Sequence, residues 1–560
     1  MKMKHNFLFD NNKKTEWIIF GIFIALYFII SFFHEPMYDE AQAWMIARDA
    51  SWYELMFEIP HYEGHPPFWH LILALFAKTG IPFEVGLRIP GAICWILSVG
   101  ILLFRSPFPK SIKCLLPFTY YIFFRYGIVV RPYCLTMLGL FLAASTYKKK
   151  GEKPFAFMAS LLVLCVSSAY GMALAAGICV VWIIELFTRY KTNYLKQVIA
   201  LSALLIFNLG QLFLMMPKDD TNSVAAFSFM TILYGLIYMF ILGPADSMFL
   251  DVGMDARLQN YAEGIITEGV SSYINLFIGL LTIIFLVYYA QKYRKLLLLI
   301  VPYTVFSLFS AAVYFWYHHI GIIHLFLIFV FWCALEEKEQ RKDGKWPKTL
   351  LNVLAKNQKI FTKIPVFMLV LCLGMSLAWN IFCSGTDLFK KTWYTKDLAE
   401  GIKTVGADQY NCALQWDIMG VGPFENPEDY VDASKYYHVA SVTQFFDCLA
   451  YFDENIFYNH NGGNKEISYN MQRVPEAEQQ ALILEEIATY GYPEFIIGHA
   501  FVLDALPIDE EMPNYAPVYR FEVYKPDKFI IDYNDRYIYA REDIYQQRSD
   551  WPIVEQLKID

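Results

Sequence analysis

Long runs of apolar residues are the feature that most constrains the fold of this chain. Hydrophobic residues occupy 56% of the 560 positions and are grouped in blocks of membrane-spanning length. That proportion is too high for an ordinary soluble protein. We therefore predict a polytopic α-helical membrane protein.

The apolar runs predict eleven transmembrane helices. Phe68 to Thr79 is excluded, because a helix of that length covers about 18 Å of a hydrocarbon core that is ~30 Å thick. Phe227 to Leu242 is assigned to an interfacial helix, because counting it as a span would reverse every later loop against the positive-inside rule. The predicted spans are 16–33, 87–104, 111–124, 132–147, 155–170, 172–188, 197–216, 273–290, 296–316, 320–335 and 361–381.

The distribution of basic residues predicts the orientation. The first span follows a basic segment that includes Lys13 and Lys14, and it ends in His34-Glu35-Pro36 without a small-residue cleavage site. These features predict a retained first span with the N-terminus in the cytoplasm. The loop from His34 to about Gly86 is then extracytoplasmic.

The composition changes after the last predicted span. Residues 382–560 hold 31 acidic against 14 basic side chains, whereas residues 1–381 hold 23 against 32. About 180 residues are enough for an independent core. We therefore predict two domains, a transmembrane catalytic domain over 1–381 and an extracytoplasmic α/β domain over 382–560.

Four segments predict the secondary structure of the second domain. Glu476 to Tyr490 has helical spacing, and Glu494 to Gly498 is typical of a short buried strand. Val518 to Tyr524 and Phe529 to Ala540 alternate as strands, with Lys525-Pro526-Asp527 as the turn between them.

Adjacent carboxylates, Asp39 and Glu40, follow the first apolar run. Ionisable groups at a membrane surface are costly to hold in place, which favours a chemical role. Asp39 with Gln42 also fits a helix-capping box. From these residues alone, Asp39 is either a cap or a general base.

Several cationic or proton-donating residues are expected at the same external level as this carboxylate pair. A carboxylate that faces several cations suits chemistry on a lipid phosphate, because the leaving group is anionic and the acceptor hydroxyl must lose a proton. The candidate phosphate-binding residues are His65, Arg125, Arg131, His318 and His319.

Four short motifs resemble the bacterial members of the protein O-mannosyltransferase superfamily, which are related to the aminoarabinose transferase of lipid A. The resemblance covers roughly residues 16 to 335. The motifs are Tyr38-Asp39-Glu40-Ala41, Gly64-His65-Pro66-Pro67-Phe68-Trp69, Leu87-Arg88-Ile89-Pro90-Gly91 and Val130-Arg131-Pro132-Tyr133.

The resemblance implies the GT-C fold and an inverting transfer from a polyprenyl-phosphate sugar at the outer membrane face. Asp39 is similar to the catalytic carboxylate of the family, and Glu40 to its neighbour. His65 takes the position of a phosphate-contacting lysine of the aminoarabinose branch. Arg131 matches an Arg-x-Tyr-like motif in which Pro132 fills the middle position.

The predicted function is transfer of a sugar from a polyprenyl-phosphate donor to an envelope glycan, lipid or protein, with Asp39 as the base. Two alternatives stay open: a transporter or flippase for lipid-linked sugars, and an oligosaccharide polymerase or ligase. Membrane lipids are expected partners and nucleic acid is not. No cofactor is assigned, and a divalent cation at Asp39 and Glu40 is left open. The ten cysteines contain no CxxC pair, so no zinc site is predicted.

Overall fold

Helices form most of the described chain. A computed structural model describes residues 13–188, 192–218, 229–249, 269–313, 315, 317–337, 360–390, 393–415, 417–418, 440–441, 445–469, 485–498, 513–527, 530–548 and 551. The helices of the first half are α1 (Lys14–Phe33), α2 (Tyr38–Asp49), α3 (Trp52–Phe57), α4 (Ile59–Glu63), α5 (Phe68–Ala77), α6 (Phe83–Arg105), α7 (Lys110–Leu115), α8 (Tyr133–Tyr147), α9 (Pro154–Cys165), α10 (Ala169–Thr188), α11 (Tyr194–Met215), α12 (Phe229–Ile241) and α13 (Gly243–Phe249).

The second half of the chain adds long apolar helices and a small sheet. Its helices are α14 (Gly269–Lys292), α15 (Leu296–Ala312), α16 (Ile320–Glu337), α17 (Ile360–Phe389), α18 (Thr395–Val405) and α19 (Glu542–Gln546). Within the described residues six helices, α1, α6, α10, α11, α16 and α17, are long and apolar enough to cross a membrane. The predicted class of helical membrane protein is therefore confirmed.

Several predicted spans are shorter or broken in the structure. The predicted span 111–124 is divided into α7, a 3-10 turn at Leu116–Phe118 and a π-helix at Tyr121–Ile128. Pro117 lies in that turn and has no N–H to donate to a continuous helix. The predicted span 155–170 stops at Cys165.

Local side-chain hydrogen bonds account for the break after Cys165. The Ser167 hydroxyl donates to the Leu164 carbonyl at 2.7 Å, and the Ser168 hydroxyl accepts from the Gly171 N–H at 3.1 Å. Serine side chains that bond to nearby backbone groups compete with a continuing helix. The chain therefore ends one helix and starts α10 within a few residues.

The segment predicted as an interfacial helix contains α12, which forms a bent pair with the following helix α13. Helices α12 and α13 meet at an angle of 48° and together are long and apolar enough for one broken span or a re-entrant loop. Asp246 on α13 is fully buried and accepts a hydrogen bond from the Tyr238 hydroxyl at 2.8 Å. The pair is thus packed into the helical bundle; residues 227 and 228 lie outside the described chain.

The C-terminal part contains the predicted α/β fold. One sheet has the strand order β1-β4-β6-β5, with β1 parallel to β4 and the other neighbours antiparallel. Strands β2 and β3 form a separate antiparallel pair. The strands are β1 (Cys412–Leu414), β2 (Asp417–Ile418), β3 (Ala440–Ser441), β4 (Phe495–Gly498), β5 (Tyr515–Asp527) and β6 (Ile530–Arg541).

Strand β5 is longer than the sequence pattern predicts, whereas β6 has the predicted length and is shifted by one residue. The predicted turn Lys525-Pro526-Asp527 is instead paired with residues 530–532 of β6. The prediction was wrong because a Pro-Asp pair is a common turn signal, yet here both residues continue the strand. Of the predicted helix 476–490, residues 485–490 are helical and the remainder lies outside the described chain.

The C-terminal part shares its hydrophobic core with the loop from His34 to about Gly86, which we call the outer loop. Trp44 on α2 and Trp69 on α5 belong to the same buried cluster as Leu398 on α18, Phe446 and Ile538 on β6. The core of the C-terminal part is therefore continuous with that of the outer loop. Helix α2 of the outer loop packs against the 3-10 segment Phe446–Tyr451, which packs in turn against α18.

Hydrogen bonds to Arg48 and Asp49 fix this junction. The Arg48 guanidinium donates to the carbonyls of Leu449 at 3.2 Å and Phe452 at 2.6 Å, and to the Ser468 hydroxyl at 2.9 Å. The Asp49 carboxylate accepts from the Ser468 N–H at 2.8 Å. The end of α2 is thus bound directly to the C-terminal part.

The Arg48→Ala variant should destabilise the whole chain. It removes the three hydrogen bonds to the C-terminal part, and hydrogen bonds of charged groups contribute roughly 1.5–3 kcal/mol each. We expect a loss of about 3 kcal/mol, measured as a lower melting temperature in detergent.

The matched control is Lys465→Ala. Lys465 pairs with Glu454 at 3.1 Å, but the two side chains are 71% and 54% exposed. Exposed ion pairs contribute about 0–1 kcal/mol. Equal melting temperatures for the two variants would contradict a structural junction at Arg48.

Candidate functional site

The acidic motif lies at the beginning of helix α2. The helix starts at Tyr38 after Pro36 and Met37, and the Glu40 carboxylate accepts a hydrogen bond from the Met37 N–H at 3.0 Å. Glu40 therefore caps the helix, as expected for an acidic side chain in the first turn. The capping interpretation of Asp39 is wrong, and its carboxylate is left for other contacts.

Asp39 forms an ion pair with Arg131. The Oδ2 atom of Asp39 lies 2.8 Å from a terminal guanidinium nitrogen of Arg131, and the side chains are 33% and 13% exposed. The guanidinium carbon of Arg131 lies 5.3 Å from the centre of the Tyr133 ring, within cation–π range. Arg131 is thus held between a partly accessible carboxylate and an aromatic ring.

His65 lies next to this ion pair as a neutral imidazole. Burial and the positive charge of Arg131 lower the pKa of His65 to about 4, against the opposing effect of Asp39. The Nδ1 atom is shielded from solvent and has no hydrogen-bond partner among the described residues. At neutral pH His65 therefore offers one N–H donor, which is the proton-donating and not the cationic form of the two that the sequence left open.

The histidine pair lies on the other side of Arg131. The rings of His318 and His319 are 4.0 Å apart, and the ring of Tyr133 lies 6.0 Å from that of His318. Burial is the main cause that lowers the pKa of His318 well below its usual value. The neighbouring His319, Arg131 and Arg125 lower it further. Both histidines belong to the cluster, and His318 is a neutral member of it.

Arg125 reaches the cluster from the π-helix Tyr121–Ile128. Its side chain is 8% exposed and lies within electrostatic range of Arg131 and Tyr133. π-helical turns are frequent at functional sites, because they shift a side chain away from its α-helical direction. The π-helix places a second buried guanidinium beside the first.

The structure therefore collects all the predicted site residues in one region. They come from chain segments that are far apart in sequence. The Arg131 guanidinium pairs with the accessible Asp39 carboxylate, and Arg125 lies within electrostatic range of Arg131. We call this group the outer cluster; its members are Asp39, Glu40, His65, Arg125, Arg131, His318 and His319.

Glu40 differs from Asp39 in its environment. It is 1% exposed, its Oε1 atom accepts from the Val130 N–H at 2.6 Å, and its Oε2 atom contacts both the Met37 N–H and His34. A cation shared with Asp39 would have to displace one of these contacts. Among the described residues no group of three or more His, Cys, Asp or Glu side chains is arranged to hold a metal ion.

Three residues of this region were not predicted from the sequence: His34, Asp387 and Tyr126. His34 and Asp387 contact each other next to Glu40, and the Tyr126 hydroxyl donates to the His318 carbonyl at 2.7 Å. His34 at the end of the first apolar run and Asp387 beyond the last predicted span were visible as charges near span ends. Tyr126 had no distinguishing signal among so many aromatic residues, whereas Tyr133, which packs against Arg131, belongs to the Arg-x-Tyr-like motif.

Comparison of the chain with family models, with curated proteins and with solved structures finds no match. The interpretation of the site therefore depends on its geometry and charge.

The neutral state of His65 predicts a pH dependence of stability. Its pKa of about 4 lies below the usual value of about 6.5, so its contribution to folding is present above pH 6.5 and is lost as the pH falls toward 4. The His65→Gln variant should therefore lose less melting temperature than the wild type between pH 7 and pH 5. Identical losses in the two proteins would show that His65 is not held neutral by the fold.

Proposed function

We propose that this protein is a membrane glycosyltransferase that moves a sugar from a polyprenyl-phosphate donor to an envelope glycan, lipid or protein. The observation that carries the proposal is the accessible Asp39 carboxylate paired at 2.8 Å with Arg131, beside a second buried guanidinium. A carboxylate supplies a base, and guanidinium groups bind phosphate well. The resemblance of the four short motifs supports the same reaction.

Each residue has a defined role in the proposed reaction. Asp39 accepts the proton of the acceptor hydroxyl as that oxygen attacks the anomeric carbon. The bond from the anomeric carbon to the phosphate oxygen breaks, and the polyprenyl phosphate leaves with the electron pair. Arg131 and Arg125 stabilise the negative charge that develops on this leaving group. One displacement inverts the anomeric carbon and requires no covalent intermediate.

The neutral histidines suit recognition of a sugar phosphate. His65 and His318 are held uncharged, so each can donate one hydrogen bond to a phosphate or a hydroxyl without adding charge. The positive charge of the site then comes from Arg125 and Arg131, which are charged at any physiological pH. Binding of the donor would depend little on pH in the neutral range.

The proposed arrangement in the membrane follows the charge pattern of the chain. It has a GT-C-like fold with about eleven spans in the bacterial inner membrane, a cytoplasmic N-terminus, and both the outer loop and the C-terminal part outside. The basic N-terminal segment and the acidic C-terminal part support this orientation. The packing of the C-terminal part against α2 supports the proposal that it lies on the same side as Asp39.

Asp39→Asn should abolish most sugar transfer. The amide cannot accept the proton of the acceptor hydroxyl. Loss of a positioned general base typically lowers the rate by roughly 10²–10⁴-fold. The measurement is mass spectrometry of polyprenyl-phosphate sugars incubated with purified protein in host-envelope extract. We expect one lipid-sugar species to be consumed by the wild type and spared by the variant.

The matched control is Glu454→Gln, which neutralises an exposed carboxylate of the C-terminal part. It should consume the donor at the wild-type rate. Unchanged lipid profiles with folded wild-type protein would contradict a transferase. Transfer of lipid-linked sugar between the leaflets of a vesicle by both wild type and Asp39→Asn would then indicate a flippase.

Arg131→Gln should weaken transfer by a different route. Loss of one oriented donor to a developing negative charge typically costs about 10²–10³ in kcat. The variant also leaves Asp39 without its ion-pair partner. Single-turnover rates with saturating donor would measure the loss, and a rate within twofold of the wild type would remove Arg131 from the phosphate site.

A further inference from the structure

A buried cluster of three charged side chains lies directly behind helix α2. His34 follows α1, Glu40 lies in the first turn of α2, and Asp387 lies near the end of α17. The Nδ1 atom of His34 is 2.7 Å from Asp387 Oδ2, and its Nε2 atom is 3.3 Å from Glu40 Oε2. All three side chains are less than one-tenth exposed. The imidazole thus connects the first and the last long apolar helices to the helix that carries Asp39.

The second oxygen of Glu40 extends this connection to the segment of Arg131. Glu40 Oε1 accepts a hydrogen bond from the Val130 N–H at 2.6 Å, and Val130 directly precedes Arg131. Glu40 therefore holds both partners of the Asp39–Arg131 ion pair, one through its own helix and the other through the neighbouring backbone. Any displacement of Glu40 changes the separation of Asp39 and Arg131.

The surroundings of His34 favour a charged imidazolium. Burial on its own lowers the pKa of His34, but the carboxylates of Asp387 and Glu40 outweigh burial and raise it to about 10. On α6, Arg88 donates to the His34 carbonyl at 2.7 Å and pairs with Glu84 at 3.2 Å. The ring of Phe124 on the π-helix lies 6.2 Å from the imidazole. The stabilisation by the charged ring is complete below pH 6.5 and is lost as the pH rises toward 10.

We propose that His34 is a positioning residue for Asp39, acting through Glu40 and anchored by Asp387. This role rests on the proposed transferase function. Both ring nitrogens of His34 are engaged inside the protein, so His34 itself does not reach the reacting atoms. A neutral or absent side chain at this position leaves Glu40 as a buried carboxylate without its counter-charge, which favours its protonation or displacement.

The test compares His34→Gln and His34→Lys with the control His61→Gln. His61 is also a buried histidine of the outer loop, but it contacts the Met216 carbonyl and does not belong to the cluster of His34, Glu40 and Asp387. Rates are measured on the monodisperse, folded fraction of each protein, with the polyprenyl-phosphate sugar that the wild type consumes. A role limited to folding would change the yield of that fraction and not its kinetics.

We expect His34→Gln to lower kcat about 10-fold or more, while the donor KM changes less than about threefold. The reason is that a displacement of a reacting group by about 1 Å can lower the rate about 100-fold. His34→Lys, which keeps the positive charge, should recover part of the rate. The wild-type kcat should decline as the pH rises toward 10, and this decline should be absent in His34→Gln. His61→Gln should retain the wild-type kcat and pH profile.

The possible results separate this inference from the proposed function. If the wild type transfers sugar and His34→Gln retains its kcat and its alkaline decline, the positioning role is overturned and the transferase stands. If the folded wild type consumes no lipid-linked sugar, both are overturned. A double-mutant cycle of His34→Gln and Asp387→Asn on melting temperature reports the ion contact independently of activity, and additive effects would contradict the contact itself.

Discussion

The ion contacts at the start of helix α2 determine how the rest of the site is arranged. Burial of a charged group is costly unless the group is paired, and breaking a buried pair leaves an uncompensated charge. Glu40 satisfies this requirement with His34 on one oxygen and the Val130 N–H on the other. The same contacts bring together segments that are distant in sequence. The position of Asp39 is therefore a consequence of how its neighbour is paired.

The C-terminal part contributes to the same arrangement from the opposite end of α2. Arg48 and Asp49 bind the backbone and side chains of residues 449–468, while the apolar side of α2 enters the core shared with the sheet. A helix of 12 residues is marginal on its own and depends on such packing. The acidic C-terminal part is thus a structural support of the candidate site, whatever else it binds.

Much of the fold was predictable from the sequence, because long apolar runs have few structural solutions. The long helices α1, α6, α10 and α11 begin and end within a few residues of their predicted ranges. The errors occurred where a local contact overrides the apolar pattern, as at Pro117 and Ser167. The shared core could not be predicted, because it joins apolar side chains that are far apart in sequence, such as Trp44 and Ile538.

The candidate site shows a similar limit. The sequence identified the polar residues of the outer cluster, since charges beside apolar runs are conspicuous, but it could not separate their roles. His65 was expected to be either a cation or a proton donor, and its burial beside Arg131 selects the neutral donor. Protonation states depend on which side chains meet in space, and a single sequence does not report those distances.

The different environments of Asp39 and Glu40 follow from helix geometry. Successive residues on an α-helix point about 100° apart, so two adjacent carboxylates cannot face the same surroundings. Glu40 points into the protein, where it is 1% exposed and fully engaged, while the Asp39 side chain remains 33% exposed beside Arg131. A pair of acidic residues at the first turn of a helix thus supplies one structural and one accessible carboxylate. This arrangement lets a site hold a reactive group firmly without burying it.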